Sequence, residues 1–195
     1  MAIRMRMRWD GVTADLYDEA RRVVKWDTDP AEGGLLHEAW FVGDQLNVCD
    51  VWESAEAFNA FVETRLMPGV AQVGIQGQPE VEVLPVHNWQ VELAMGPDAV
   101  VGEAELPVEA YRALEAQVGW RDEPPIGGIS HIAAVDGDTM RLVTAWEKEA
   151  DHDTFDADRI LPAASALGFP EQDEPEPEFH HLHALFNPSA RTADR

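Results

Sequence analysis

The chain has 195 residues, 45% of them hydrophobic and 26% charged, which is the composition of a folded globular protein with one full domain or two small ones. Its 14 Lys and Arg against 37 Asp and Glu leave a formal charge of −23, which repels nucleic acid and anionic lipid, so neither is expected as a partner. No apolar run reaches the roughly 18 residues of a membrane span, and a single cysteine, Cys49, excludes an intrachain disulfide framework and a cysteine-rich zinc site. Only Lys25 and Lys148 are lysines, a bias that fits either a high-salt cytoplasm or codon usage. The arginine-interrupted start, Met1 to Arg8, lacks the apolar core of a signal peptide, so a cytoplasmic protein is expected.

Ile3 to Trp9 alternates apolar residues with arginine, the period of a strand with one wet face. Thr13 can cap a helix that buries Tyr17, Ala20 and Val24. Gly33-Gly34 opens a second strand to Val42, Gly43-Asp44 turns it, and Gln45 to Trp52 returns as the hairpin partner. Ser54 caps a second helix whose stripe is Phe58, Phe61, Val62, Arg65 and Leu66, and Pro79 to His87 is a fourth strand.

The same pattern then recurs. Shifted by 94 residues, positions 17–74 match their counterparts without a gap at sixteen of 58 places, among them Trp26/Trp120, His37/His131, Trp52/Trp146 and Arg65/Arg159. Strands are expected near 98–104, 128–135, 139–146 and 178–186, with helices near 107–118 and 149–167. A two-residue insertion then places His87 over His183. The fold predicted is α+β: two tandem ferredoxin-like βαββαβ units, residues 1–88 and 98–186, whose antiparallel sheets pack into an intramolecular α+β barrel. Residues 89–97 read as linker, 170–176 as an acidic, proline-punctuated loop and 187–195 as a frayed tail. Both units lie in one chain, so a pseudo-dimeric monomer is expected, with a homodimer as the alternative.

His37 shares a strand face with Leu35, Ala39 and Phe41, and His131 sits likewise among Ile129, Ala133 and Val135. A desolvated imidazole is held neutral and can act as a general base, or it can be a hydrogen-bonded core residue. On the neighbouring strand Asp50 lies on one face with Leu46, Val48 and Trp52, placed to orient His37, whereas the second unit has Thr144 at that position. The catalytic pair expected is therefore His37 and Asp50. Trp52 and Trp26, with Tyr17, Phe61, His87, His131, Trp146 and His183, make up the expected substrate-binding set, the tryptophans as flat apolar walls. Arg65 and Arg159 interrupt apolar stripes and are read as binding a substrate carboxylate or pairing with Glu53 and Glu147. His180, His181 and His183 raise the question of a metal, but strand parity turns His180 away from the other two, and no metal site is assigned. Cys49 reads as a small core residue.

The run from Asp50 to Phe61, with the Gly33-Gly34 to His37 strand before it and Pro68 and His87 after it, resembles the dimeric α+β barrel superfamily that includes antibiotic biosynthesis monooxygenases. The resemblance spans nearly all of the first unit and is thinner in the second, where Thr144-Ala145-Trp146-Glu147-Lys148 replaces the fuller motif. It implies a ferredoxin-like fold and a small-molecule pocket between sheet and helices, with reactions that range over cofactor-independent oxygenation, haem degradation, isomerisation and cyclisation. The haem branch carries an axial histidine on the second helix and an asparagine on the first strand. The helix after Ser54 has no histidine, Ile3 to Trp9 has no asparagine, and His152 lies at the start of the second unit's helix. The function expected is thus a cofactor-free enzyme on a hydrophobic, aromatic or polyketide-like small molecule, with a non-catalytic binding or scaffold protein, or a histidine-ligated metal or haem protein, as alternatives.

Overall fold

A computed structural model describes residues 1–92, 94–169 and 177–188. The loop expected at 170–176 and all but the first two residues of the tail lie outside the described residues. The chain divides into two units, residues 1–86 with 182–195, and residues 87–181. Each is α+β and ferredoxin-like. No helix among the described residues is long and apolar enough to cross a membrane.

In the first unit β1 (Ile3–Asp10) lies between β3 (Gln45–Trp52) and β4 (Glu80–Val91), and β2 (Gly34–Val42) pairs with β3 on one side and with the end of β8 (Phe179–Phe186) on the other, all antiparallel. Helix α1 (Ala14–Val23) starts where Thr13 accepts a hydrogen bond from the Leu16 amide, and α2 (Ala55–Phe61) starts where Ser54 accepts from that of Ala57. Both caps are as expected. The core lies between these helices and one sheet face, around Met5, Met7, Val48, Trp52, Phe58 and Phe61. Gly33 has a φ of +78°, and a Cβ there would meet that of Ala57 at 2.7 Å, so the β2–α2 corner requires glycine.

The second unit repeats the plan with β5 (Val100–Pro107), α4 (Val108–Val118), β6 (Gly128–Asp136), β7 (Thr139–Trp146) and α5 (Glu149–Phe155). Here β7 lies between β5 and β6, again antiparallel.

Three expectations change. The arginine face of β1 is wet only towards its end: Arg8 is exposed, but Arg4 and Arg6 are 2% and 3% exposed. Arg4 pairs with Glu82, and Arg6 donates to Asn47 Oδ1 at 2.8 Å and lies 4.3 Å from the Trp40 ring centroid, so burial leaves neither charge uncompensated. The long second helix is broken in both units by a π turn, Val62–Leu66 and Asp156–Ile160, followed by α3 (Met67–Val73) and α6 (Leu161–Ala166). Pro68 and Pro162 lack the N–H that a continuous α-helix needs there, and their rings crowd the carbonyl four residues back, so the helix widens before each of them. Finally, β4 runs on to Val91, into the segment read as linker, and His87 and His183 fall in the second and the first unit respectively, the reverse of their sequence repeats.

Candidate active site

In the first unit β2 and β3 pair in a register that sets His37 opposite Asp50. The imidazole Nδ1 and Asp50 Oδ1 are 2.7 Å apart, and Asp50 Oδ2 accepts from Trp52 Nε1 at 3.2 Å. A carboxylate can only accept, so it selects the tautomer with the proton on Nδ1 and leaves Nε2 a lone pair. That lone pair meets the Tyr17 hydroxyl at 2.6 Å, with the two rings stacked 5° from parallel. Trp52, Asp50, His37 and Tyr17 thus form one buried chain of hydrogen bonds from sheet to helix. Burial drives the Tyr17 hydroxyl far above its ordinary pKa, so it remains a neutral donor.

This chain borders a cavity of about 70 Å³ between sheet and helices, lined by Tyr17, Trp26, His37 and Asp50 on the polar side and by Met5, Val48, Phe61 and Val70 among others on the apolar side. The volume is well below the roughly 300–1,000 Å³ of ordinary ligand pockets. The Trp26 ring centroid is 4.9 Å from that of His37, and its buried indole N–H has no partner among the described residues. Trp52 does not line the cavity. It is fully buried behind Asp50, packed on Trp26 and Phe61, and so holds the carboxylate rather than forming a wall. His183 stands edge-on to Tyr17 at 5.5 Å and to Phe41 at 5.2 Å, with Nε2 2.9 Å from Asp18 Oδ1.

The second unit keeps the skeleton and loses the carboxylate. Tyr111 meets His131 Nε2 at 2.8 Å with rings 10° from parallel. Thr144 stands where Asp50 would, accepting from Trp146 Nε1 at 3.3 Å, and His131 Nδ1 is buried without a partner among the described residues. Burial accordingly pushes the His131 pKa down to about 4. The helix face outside Tyr111 is also different. His87 Nε2 lies 3.1 Å from Glu115 Oε2, Asn88 donates to Glu115 Oε1 at 2.7 Å, and Arg121 donates to Asn88 Oδ1 at 2.5 Å. His87, His131 and Trp146, expected as substrate ligands, belong to the second unit and are not among the residues that line the first unit's cavity.

Among the described residues Arg65 and Arg159 do not pair with Glu53 and Glu147. Arg65 donates to the carbonyl oxygens of Val24 and, at 2.7 Å, Asp29; Arg159 donates to those of Val118 and, at 2.7 Å, Glu123. Both guanidinium groups leave the helix at the π turn and tie down the carbonyls where α1 and α4 end, a contact that a stripe drawn on a regular helix does not show. Cys49 is a fully buried core residue whose thiol pKa is raised by burial. Among the described residues no three His, Cys, Asp or Glu side chains converge as a metal-holding group.

The bond from Tyr17 to His37 was not read from the sequence, since it joins a helix to a sheet at a distance no local period encodes. Its signal was present in the repeat, where Tyr17/Tyr111 and His37/His131 recur as pairs 20 residues apart.

No family model and no curated protein matches this chain. Solved structures do. A candidate monooxygenase from Fusobacterium nucleatum superimposes with a TM-score of 0.72 at 10% identity, covering 96% of this chain and 94% of that one. One from Lactobacillus acidophilus gives 0.71 at 10% identity over 96% and 97%. An anthrone oxidase-like protein gives 0.52 at 14% identity over 95% and 93%. At these identities the likeness is one of fold, and it extends over both units of the chain.

Proposed function

We propose that the first unit is the active site of an enzyme that removes a proton from a compact hydrophobic substrate, the opening step shared by cofactor-free oxygenation, cyclisation and isomerisation. The observation that carries this reading is the difference between the units: the same Tyr–His pair ends on a carboxylate beside a cavity in the first, whereas in the second Thr144 replaces the carboxylate and the histidine Nδ1 has no partner among the described residues.

The step follows from the hydrogen bonds. As Tyr17 passes its proton to His37 Nε2, its oxygen takes the proton from the substrate, so the hydroxyl is restored and the charge appears on the imidazole. Asp50, 2.7 Å from Nδ1, stabilises that imidazolium. The unpartnered Trp26 N–H is available to a substrate carbonyl oxygen as negative charge develops there. In an oxygenase the resulting enolate would itself reduce dioxygen, so the protein need supply only the base and a dry cavity. The names of the structural neighbours, monooxygenase and anthrone oxidase-like, fit this chemistry. The 70 Å³ cavity is about half the size of one that holds benzene, so it must widen for any ring, which favours a small substrate over a fused polyketide.

The test is deuterium incorporation from D2O into the methylene group of small aryl ketones such as phenylacetone, followed by NMR, with oxygen uptake recorded in parallel. The native chain is expected to accelerate exchange, and His37→Gln to lose about 10²–10⁴-fold while remaining folded. A native rate no faster than buffer, or an unchanged rate in His37→Gln, would remove the proposal.

A further inference from the structure

Next to the apolar cavity lies a second, polar recess of about 360 Å³, lined by Asp18, Arg21, Arg22, Lys25, Asp27 and Thr28. Arg21 lines both spaces. It sits one helical turn beyond Tyr17, 23% exposed, and gives Nε and one terminal nitrogen to Asp27 Oδ1 at 3.1 and 2.6 Å, which leaves its third nitrogen without a partner among the described residues. Asp18 is engaged by His183 and Arg22 by Glu19, whereas the Lys25 ammonium has no partner among the described residues.

The repeat supplies an internal comparison. Arg21 corresponds to Glu115, Arg22 to Ala116, Lys25 to Gly119 and Asp27 to Arg121, so the charges that line the recess are exchanged or removed in the unit whose histidine has no carboxylate. Lys25 is also the one non-glycine residue with positive φ among those described, +58°, at the helix-ending position where the second unit has Gly119 at +62°. A lysine stands where glycine would sit without strain. It stands there in a chain of charge −23, where an anion approaching the surface needs local positive charge.

From this we infer that the first unit's substrate is a carboxylate: its apolar part enters the cavity beside Tyr17 and His37, and its acidic group is held in the adjoining recess between Arg21 and Lys25. The inference rests on the proposed active site for its location, but it concerns binding and not turnover. A guanidinium shared by the two spaces can keep Asp27 and still present a free N–H to a carboxylate.

The experiment is calorimetric titration of the full chain with phenylacetate and with phenylacetamide, which match in shape and differ in charge. Phenylacetate is expected to bind about tenfold or more tightly, and the preference to vanish in Lys25→Gly, which takes the second unit's own residue at a backbone suited to it, and in Arg21→Gln. Equal affinities, a preference that survives in both variants, or no saturable binding of phenylacetate up to about 10 mM would overturn the inference. His37→Gln separates the two proposals. Turnover lost in His37→Gln with the acid preference intact sustains both, an unchanged rate in His37→Gln removes the catalytic reading alone, and equal affinities of the native chain for acid and amide remove the carboxylate site alone.

Discussion

His37 and His131 occupy equivalent strand positions, each with a tyrosine on Nε2, and differ in what faces Nδ1. Asp50 gives His37 an acceptor that becomes a counter-ion when the ring is protonated, whereas His131 has none on Nδ1, and its burial outweighs the charge of Glu115 and holds its pKa at about 4. The sign of the resulting pH dependence follows directly. Between about pH 4 and the ordinary histidine value near 6.5, the unfolded chain binds a proton that folded His131 refuses. Stability from this group is therefore complete above about pH 6.5 and is lost as the pH falls towards 4, with a slope of at most about 1.4 kcal/mol per pH unit. Urea unfolding of the native chain and of His131→Gln at several pH values in this window should show a shallower fall in the variant. Parallel curves would mean that His131 binds its proton normally in the folded protein. At this scale the sequence was legible where a strand period suffices: parity put Asp50 on the histidine's face and Thr144 opposite His131. It misled where burial depends on a partner from elsewhere in the chain, as for Arg4 and Arg6, and where a tryptophan's depth decides between wall and support, as for Trp52.

Between neighbouring elements, the π turns carry the least expected contacts. Pro68 and Pro162 widen the second helix of each unit, and the turn directs Arg65 and Arg159 across to the carbonyls that end α1 and α4. Because α1 presents Tyr17 to His37, this tie supports the site from behind. Arg65→Ala should destabilise the protein by about 1–3 kcal/mol through unsatisfied carbonyls, and Arg65→Lys should recover little, since both bonds come from Nη2, at the end of a side chain one bond longer than that of lysine. Denaturant unfolding of both variants checks this, and full recovery by lysine would show that charge alone is at work. Strand order, caps and hairpin turns were visible in the sequence because they are local: Thr13, Ser54 and Gly43-Asp44 act within four residues of themselves. The π turn was not, because the apolar stripe was drawn on a regular helix. The end of β4 also escaped, because the repeat carries no signal past His87 and the residues after it read as linker, whereas β8 ends where the repeat puts it.

For the whole molecule, duplication frees the two copies to diverge, and they have done so around a common frame. The glycine corner, the tryptophans, the Tyr–His pair and the arginine tie are repeated; the carboxylate behind the histidine and the charges outside the tyrosine are not. Residues required for folding are expected in both copies, and those that turn the shared Tyr–His pair into a working base in one. The account therefore turns on whether the residue that differs matters more than the residue that is shared. The most direct measurement compares proton–deuterium exchange of the aryl ketone in Asp50→Thr, which installs the second unit's own residue, with that in His131→Gln. Asp50→Thr should lose about 100-fold or more in rate while His131→Gln keeps the native rate. Equal losses in both, or a loss confined to His131→Gln, would contradict the assignment of the active site to the first unit.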